Sequence, residues 1–338
     1  MLDFDDSRLE NPDVLAAAAP LLMNLASSGA RVRREASLAD AALIELNDAD
    51  RPRAVIAYGP EARLLRAVLE PVCPVPFVAW PALGLPGWVG PLDIVLLIGR
   101  RGPESLAVAH EAVRRGCRLI VACPADSLLA EQAASRSTTV LPVHTGDPFA
   151  AAVLCLAALH RLGLGPSINP DAIAAAMDAV AESCAARTDV SVNPAKAMAL
   201  DLADASPLVW GGSVLAARAS RRIVEALRQA SGRVGLAADS SDLVALLQQA
   251  APRDPFADPF EEGVQERRPG LVLIDDGMDD AAAAESRIRL ERTARSADIR
   301  VTHLEHAADS VVERYATVLL TGLFGAAYLQ IGLGRTPS

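Results

Sequence analysis

Short apolar runs alternate with longer amphipathic segments along most of this chain. The run at 53–59 (RAVIAYG) ends in glycine and is followed by helical spacing over 61–70. The run at 93–99 (DIVLLIG) is followed by a helix that begins at Pro103, and further apolar runs occupy 75–79, 118–122 and 138–142. Apolar runs of this length, each followed by a helix of about a dozen residues, are typical of parallel strands covered by helices on both faces.

The same alternation returns in the second half of the chain. Strands are predicted at 207–210, 233–237, 270–274 and 299–303, and helices at about 214–229, 280–296 and 308–333. The fold class is therefore α/β with two lobes, each a parallel sheet flanked by helices. In such sheets a ligand binds at the carboxyl ends of the strands.

These patterns also suggest domain boundaries. Residues 1–147 hold a helical N-terminal segment, interrupted at Gly29, and the first lobe; 148–192 hold two helices between the lobes; and 193–338 form the second lobe. Residues 252–269 are rich in proline and charge, which predicts an exposed, mobile insertion.

Charge and composition exclude several classes of function. The formal net charge of −10 disfavours nonspecific binding to nucleic acid or to an anionic membrane. Lys196 is the only lysine, so a lysine base or Schiff base would have to use that residue. The five cysteines form no CxxC pair, which indicates free, mostly buried thiols in a reducing compartment. The acidic N-terminus shows no secretory signal. We therefore expect a cytoplasmic protein.

One stretch resembles a membrane span by composition. Residues 316–334 carry no charge, but they contain four glycines, two threonines and a glutamine, and the residues just before them alternate as in an amphipathic helix. A buried helix is therefore the better interpretation.

Several local phrases, in order along nearly the whole chain, resemble the bifunctional phosphoglucose/phosphomannose isomerase family, which is built from two sugar-isomerase (SIS) domains. They are the segment 85–98 (LPGWVGPLDIVLLI) with the helix that follows it, the phrase 193–196 (NPAK) and the closing helix 315–334. The resemblance implies a small phosphosugar as ligand, a homodimer and no cofactor.

The chain departs from the family where the family binds phosphate. A GxGGS turn after the first strand is reduced to Gly59, and Glu61 in the same turn would repel a phosphate. A hydroxyl-rich SYSGNTEE turn is replaced by 97–104 (LIGRRGPE), which leaves Ser105 as the nearest hydroxyl. Arg100 and Arg101 are candidates to bind the phosphate instead, with a solvated turn as the alternative.

The catalytic segments of the family are also altered. Its ENxK and PELNHNE segments correspond here to 227–232 and 235–242, which contain neither glutamate nor histidine. The family's C-terminal lysine has no counterpart, and its active-site arginine is replaced near Phe149. Losing several such groups makes ordinary isomerase activity improbable, since each one alone is worth about 10²–10⁴ in rate.

The second lobe offers its own candidates. Gly211, Gly212 and Ser213 end a strand and open a helix, where they would bind an anion or cap the helix. Asp239, Ser240 and Asp242 end the next strand. Ser240 is a candidate ligand contact and the two aspartates are candidate bases, but an N-cap cluster is the favoured interpretation.

Lys196 is a candidate phosphate or interlobe contact. A surface or helix-capping role for this residue is an equally open alternative.

Two patterns suggest metal binding only weakly. His303 and His306 form an HxxH spacing without a third ligand, so we expect no metal site there. The run 275–280 (DDGMDD) lacks the spacing of a calcium loop and is interpreted as a strand exit and helix cap.

Three functions follow from these observations. The first is a sugar-phosphate-binding SIS protein with degenerate catalysis and a regulatory or partner role in hexose or mannose phosphate metabolism. The second is an active aldose–ketose isomerase with relocated groups, with Asp239 or Asp242 as the base. The third is a non-catalytic structural dimer.

Overall fold

The structure is a computed structural model that describes residues 3–46, 51–81, 84–99, 102–250, 267–278, 280–306 and 308–335. The chain divides into two compact units. The first domain is Ser28–Ala175, and the second domain combines Met1–Ser27 with Ala176–Ser338.

The first domain is a parallel sheet with helices on its faces. The chain opens with η1 (Asp6–Leu9), α1 (Pro12–Ala17) and α2 (Ala19–Ala26), which belong to the second domain. The first domain follows with α3 (Ser28–Glu45), β1 (Val55–Tyr58), α4 (Ala62–Leu69), β2 (Phe77–Ala79), β3 (Ile94–Ile98), α5 (Pro103–Arg114), β4 (Arg118–Cys123), α6 (Leu128–Ala133), β5 (Thr138–Pro142) and α7 (Pro148–Arg161).

The strand order of this sheet is β2-β1-β3-β4-β5, and each neighbouring pair is parallel. Every residue of β1 and β3 is buried, as expected for strands with helices on both sides. The α/β fold class and these strands are thus confirmed, because continuous apolar runs are the form in which such strands appear in a sequence.

The second domain repeats this plan. Its elements are α8 (Pro170–Ser183, which spans the domain boundary), α9 (Pro194–Asp201), β6 (Ser206–Gly211), α10 (Val214–Ser231), β7 (Leu236–Ala237), α11 (Ser240–Gln248), β8 (Pro269–Asp275), α12 (Ala281–Ser296), β9 (Val301–Glu305) and α13 (Val311–Gly332). Its sheet has the order β7-β6-β8-β9 and is parallel throughout.

Helix α13 forms the centre of the second domain. It is the one helix among the described residues with the length and composition to cross a membrane. In its most apolar stretch of 18 residues, however, 89% is buried within the fold. Glycines bring it close to its neighbours: a Cβ on Gly322 would lie 2.5 Å from Ile223 of α10, and one on Gly325 would lie 2.5 Å from the sulfur of Met198 in α9. The predicted buried helix is confirmed.

The N-terminal residues pack on the end of α13. The Asp5 amide donates to the Gly332 carbonyl at 2.9 Å, and Arg8 Nε donates to the Ile331 carbonyl at 2.8 Å. Leu9 is fully buried, and a Cβ on Gly332 would lie 2.1 Å from the Phe4 ring. These contacts satisfy carbonyl groups that a helix leaves open at its C-terminus, and they explain why the first 27 residues group with the second half of the chain.

The structure differs from the sequence-based boundaries in several places. Residues 1–27 belong to the second domain rather than to the first, and α7 belongs to the first domain rather than to a separate pair of linking helices. Gly29 lies inside α3, and the break falls at Ser27. Residues 252–266 of the predicted insertion lie outside the described residues.

Two local predictions also need correction. The strand predicted at 233–237 is reduced to Leu236–Ala237, which pair with Leu208 and Val209 of β6. The guanidinium of Arg233, just before the strand, donates to carbonyls of the segment 202–205, with the shortest bonds at 2.6 Å. Helices α6 and α9 were not predicted. Helix α6 has only six residues, and in α9 the charged Lys196 is among the buried residues, which interrupts the apolar pattern.

All five cysteines are free. Four of them (Cys117, Cys123, Cys155 and Cys184) are buried, and Cys73 is half-buried. Burial raises the pKa of Cys155 to about 12 and that of Cys184 to about 11, so both remain neutral thiols near pH 7.

The packing of η1 predicts which domain a mutation there will destabilise. Leu9→Ala removes a fully buried side chain and is expected to lower the free energy of unfolding of the second domain by about 2–5 kcal/mol. Urea denaturation combined with hydrogen exchange would measure this, and protection should fall in α13 rather than in β1 to β4.

Leu38→Ala is the control, because Leu38 is 43% exposed on α3 of the first domain. Its expected cost is about 0.5 kcal/mol or less. Loss of protection in the first-domain strands of Leu9→Ala would contradict the assignment of η1 to the second domain.

Candidate functional site

A cleft of about 920 Å³ opens at the carboxyl edge of the sheet in the first domain. Its wall is made by the residues that follow β1, β3, β4 and β5 and by the first residues of the helices after them. The lining residues are Pro60, Ile98, Gly99, Gly102, Leu106, Cys123, Pro124, Asp126, Ser127, Leu128, Leu129, Val143, His144, Gly146, Asp147, Pro148 and Ala151. This is the edge at which the sequence predicted a ligand site.

Two glycines allow close packing at this edge of the sheet. Gly59 has φ +111°, and a Cβ there would lie 2.1 Å from the carbonyl oxygen of Ile98. A Cβ on Gly99 would lie 2.7 Å from Leu129. Glycine is therefore required at position 59 both for its backbone conformation and for the close approach of two strand ends.

The turn after β1 differs from a phosphate-binding turn in its charge. Glu61 has a left-handed backbone conformation (φ 60°) and is buried, with 8% of its surface exposed. Gly59, the candidate ligand-binding residue of this turn, lies directly before Pro60, which lines the cleft. A carboxylate at the N-cap of α4 disfavours an anion there, as the sequence indicated.

The loop before α5 carries the remaining phosphate candidates of the first domain. Arg100 and Arg101 lie outside the described residues. Gly102 lines the cleft and is the N-cap residue of α5, which begins at Pro103; glycine has no side chain with which to cap the helix. Ser105 is in the first turn of α5 and is 3% exposed.

Sequence reasoning missed the ionisable residues of the cleft. These are Asp126 before α6, His144 in the loop after β5, and Asp147 at the N-terminus of α7. His144 and Asp126 are exposed, whereas Asp147 is half-buried. Their position directly after β4 and β5 was the available signal, because polar residues that follow a buried parallel strand lie at the ligand-binding edge.

Asp147 and Ser127 cap the helices that begin at the cleft. Asp147 Oδ1 accepts hydrogen bonds from the amides of Phe149 (2.9 Å) and Ala150 (3.3 Å), and Ser127 Oγ accepts one from Ala130 (3.2 Å). The side chains at the start of α6 and α7 are thus committed to helix capping. Burial raises the pKa of the nearby Cys123 thiol, which disfavours the thiolate form.

In the second domain, Gly211, Gly212 and Ser213 connect β6 to α10. Gly211 allows close packing, since a Cβ there would lie 2.4 Å from the backbone of Ala216. Ser213 Oγ accepts the Ala216 amide at 2.9 Å and donates to the carboxylate of Asp276, which is 1% exposed. The hydroxyl is therefore engaged in capping and in an internal bond to an anion, which disfavours a second anion at this position.

The acidic cluster at the start of α11 is open to solvent. Asp239 and Asp242 are exposed, and Ser240 is half-buried as the first residue of the helix. Asp239 occupies the N-cap position, but its side chain makes no capping hydrogen bond, contrary to the favoured interpretation. These residues belong to the second domain, whereas every residue that lines the cleft belongs to the first.

Lys196 is a buried structural residue. It is 1% exposed, and its Nζ donates to the carbonyls of Ala186 (3.0 Å) and Thr188 (2.9 Å) and lies 5.7 Å from the centre of the Tyr328 ring. Burial lowers the pKa of this amine. The lysine therefore contacts its own loop rather than a ligand.

No group of three or more metal-ligating side chains occurs among the described residues. His303 is exposed on β9, and His306 follows that strand. The acidic run after β8 acts as predicted, since Asp275 ends the strand and Asp280 caps α12 by accepting the Ala283 amide at 2.8 Å.

Comparison with protein families supports the resemblance seen in the sequence. Residues 191–338 match the model of the bacterial phospho-glucose isomerase C-terminal SIS domain. A comparison with curated protein sequences finds no match.

Solved structures extend the likeness to both domains. A hypothetical protein from Thermus thermophilus superposes with a TM-score of 0.62 at 15% identity, covering 99% of this chain and 95% of that one. Tagatose-6-phosphate ketose/aldose isomerase from Escherichia coli gives 0.58 at 13% identity (96% and 94% covered), and a glucose-6-phosphate isomerase-like protein from T. thermophilus gives 0.51 at 14% (90% and 93% covered). At these identities the likeness establishes the fold.

The bond between Ser213 and Asp276 yields a stability prediction. Ser213→Ala removes a helix cap and leaves a buried carboxylate without its hydroxyl donor, so the free energy of unfolding should fall by about 2–4 kcal/mol in urea denaturation.

Ser310→Ala is the matched control, because Ser310 caps α13 through the Glu313 amide in an exposed setting. Its expected cost is about 1 kcal/mol. Equal losses in the two variants would show that Asp276 does not depend on the Ser213 hydroxyl.

Proposed function

Because the chain carries, over residues 191–338, a SIS domain of the bacterial phosphoglucose isomerase type and has the two-sheet fold of phosphosugar isomerases, we propose that it is a sugar-phosphate-binding protein with degenerate catalysis. The ligand would be a hexose phosphate, bound in the cleft of the first domain. A regulatory or partner role in hexose or mannose phosphate metabolism, in the cytoplasm and as a homodimer, is part of this proposal.

The observation that carries the proposal is the open N-terminus of α5 at the cleft. Of the helices whose first residues line the cleft, α6 and α7 are capped by Ser127 and Asp147, whereas α5 begins after Gly102 without a side-chain cap. The N–H groups and the dipole of a helix N-terminus attract an anion. At α5, Pro103 contributes no N–H, and the first turn holds the Glu104 carboxylate, which accepts from the Tyr58 hydroxyl at 3.3 Å, so an anion here depends on additional positive charge. Arg100 and Arg101 directly precede this turn in the sequence and would add two guanidinium groups.

The proposal of degenerate catalysis rests on the segments 227–232 and 235–242, which hold neither glutamate nor histidine, and on the settings of three aspartates. Aldose–ketose isomerisation needs a base that moves a proton between C1 and C2. Asp147 is held by the amides of α7 and by Arg31 (Nε to Oδ2, 2.6 Å), which leaves it poorly suited to act as a base. In the second domain, Asp239 and Asp242 are solvent-exposed and are not among the residues that line the cleft.

An active isomerase with relocated groups is the second candidate. His144 and Asp126 both line the cleft, and a histidine and a carboxylate are the residue types that open a sugar ring and transfer its proton. In this alternative the catalytic groups come from the loops after β4 and β5, rather than from Asp239 or Asp242.

Ligand binding is testable by thermal shift. Fructose 6-phosphate and mannose 6-phosphate are expected to raise the melting temperature of the wild type, with a stabilisation of about 2.7 kcal/mol at a concentration 100 times the Kd. Arg100→Ala/Arg101→Ala should reduce this stabilisation strongly, because it removes the two cations that precede α5 in the sequence.

The control Arg66→Ala/Arg114→Ala changes the charge equally at exposed positions of the first domain, and it should bind as the wild type does. Absence of any shift at millimolar ligand, or an equal loss of the shift in both double variants, would overturn the proposed site.

Catalysis is testable by isotope exchange in deuterated water, at C1 of fructose 6-phosphate or at C2 of mannose 6-phosphate, since C2 of the ketose carries no hydrogen. The proposal expects no exchange above that of a buffer blank. Exchange that disappears in His144→Ala and persists in Asp239→Asn/Asp242→Asn would instead establish the active isomerase with groups from the first domain.

A further inference from the structure

A buried glutamate lies beneath the wall of the cleft. The buried residues of α3 are Ser28, Gly29, Val32, Glu35, Ala39 and Leu43, a stripe with helical spacing in which a carboxylate takes the central position. Glu35 is 0% exposed. A carboxylate in such a place is costly unless hydrogen bonds replace its hydration.

Two successive backbone amides of the loop after β5 provide those hydrogen bonds. The His144 amide donates to both oxygens of Glu35, at 2.9 and 3.0 Å, and the Thr145 amide donates to Oε1 at 2.5 Å. Consecutive N–H groups that converge on one point form an anion-binding concavity of the kind that holds phosphate in other proteins. Here the anion belongs to the protein itself.

The same face of α3 fixes the other end of this loop. Arg31, one helical turn before Glu35, donates from Nε to Asp147 Oδ2 at 2.6 Å and from a terminal nitrogen to Ser28 Oγ at 2.8 Å. Asp147 in turn caps α7 through its other oxygen. The loop of residues 143–148 is therefore attached to α3 at both ends, and four of its residues besides His144 line the cleft (Val143, Gly146, Asp147 and Pro148).

From these contacts we infer that Glu35 and Arg31 are positioning residues of the cleft: they fix the loop 143–148 and so set where His144 stands relative to a bound ligand. The inference rests on the proposed function for the presence of that ligand. It also assigns a chemistry to this wall. The carboxylate of Glu35 already accepts hydrogen bonds from the amides of His144 and Thr145, so these amides do not form a second phosphate site. The loop therefore contacts the uncharged part of a sugar through its side chains.

The test compares two buried carboxylates of the first domain. Glu35→Gln keeps the shape but removes the charge and places an amide NH₂ near two N–H donors. Asp93→Asn makes the same change at a residue that is 1% exposed, accepts from Arg53 and the Gly90 amide, and lies before the first residue of β3, at the opposite edge of the sheet. Both variants should lose stability.

Amide hydrogen exchange and NMR of the histidine rings distinguish the effects of Glu35→Gln and Asp93→Asn. In Glu35→Gln, exchange at His144 and Thr145 should accelerate about 10- to 100-fold, as expected for the loss of hydrogen bonds to a charged group, and the ring resonances of His144 should shift. Asp93→Asn should leave both unchanged. The affinity for fructose 6-phosphate should fall in Glu35→Gln, with Asp93→Asn close to the wild type.

Unchanged exchange at His144 and Thr145 in Glu35→Gln would overturn the inference. If that variant does not fold, Arg31→Gln tests the same loop through its half-buried ion pair with Asp147, and the His144 ring should again shift. The exchange measurement needs no ligand. A wild type that binds no phosphosugar would therefore refute the proposed function without affecting the structural role of Glu35, and loss of exchange protection with unchanged affinity would refute the positioning role alone.

Discussion

Both domains depend on one property of the parallel sheet: all strands end at the same edge, and the strands themselves are buried on both faces. The central strands β1 and β3 expose no residue, so polar chemistry is excluded from them and collects where each strand meets the next helix. In the first domain this edge carries Gly59, Gly102, Ser127 and the loop 143–148. The cleft is a consequence of the strand order, and its chemistry is decided by a few residues in each connection.

The sequence predicted the strands and long helices well, because continuous apolar runs and helical spacing are local signals. It located Gly59, Ser105 and Ser213 at the correct ends of strands and helices for the same reason. Helix α9 was missed because its buried residues include Lys196, a charged side chain that a sequence pattern assigns to the surface. The length of β7 was overestimated, because only Leu236 and Ala237 of the apolar run pair with β6, and strand pairing is not visible in a local pattern.

Long-range polar contacts were beyond sequence reasoning. Glu35 stands 109 residues from the amide it binds, and a single charged residue in a helix is normally interpreted as exposed. Ser213 could be identified as a helix cap, but its bond to Asp276, 63 residues away, could not. The same holds for Lys196, whose partners are the loop before it and a ring on the last helix. In each case the determining partner comes from another element, so no local pattern contains it.

The burial of Lys196 has a consequence for chemistry at the surface of the folded protein. It is the only lysine of the chain, and its amine is enclosed by two carbonyls and the Tyr328 ring. Reagents that acylate amines, and enzymes that acetylate or conjugate lysine, therefore meet no lysine side chain while the second domain is folded. Chemical modification of Lys196 would therefore require the segment 186–196 to open, and its rate would measure local unfolding of that segment.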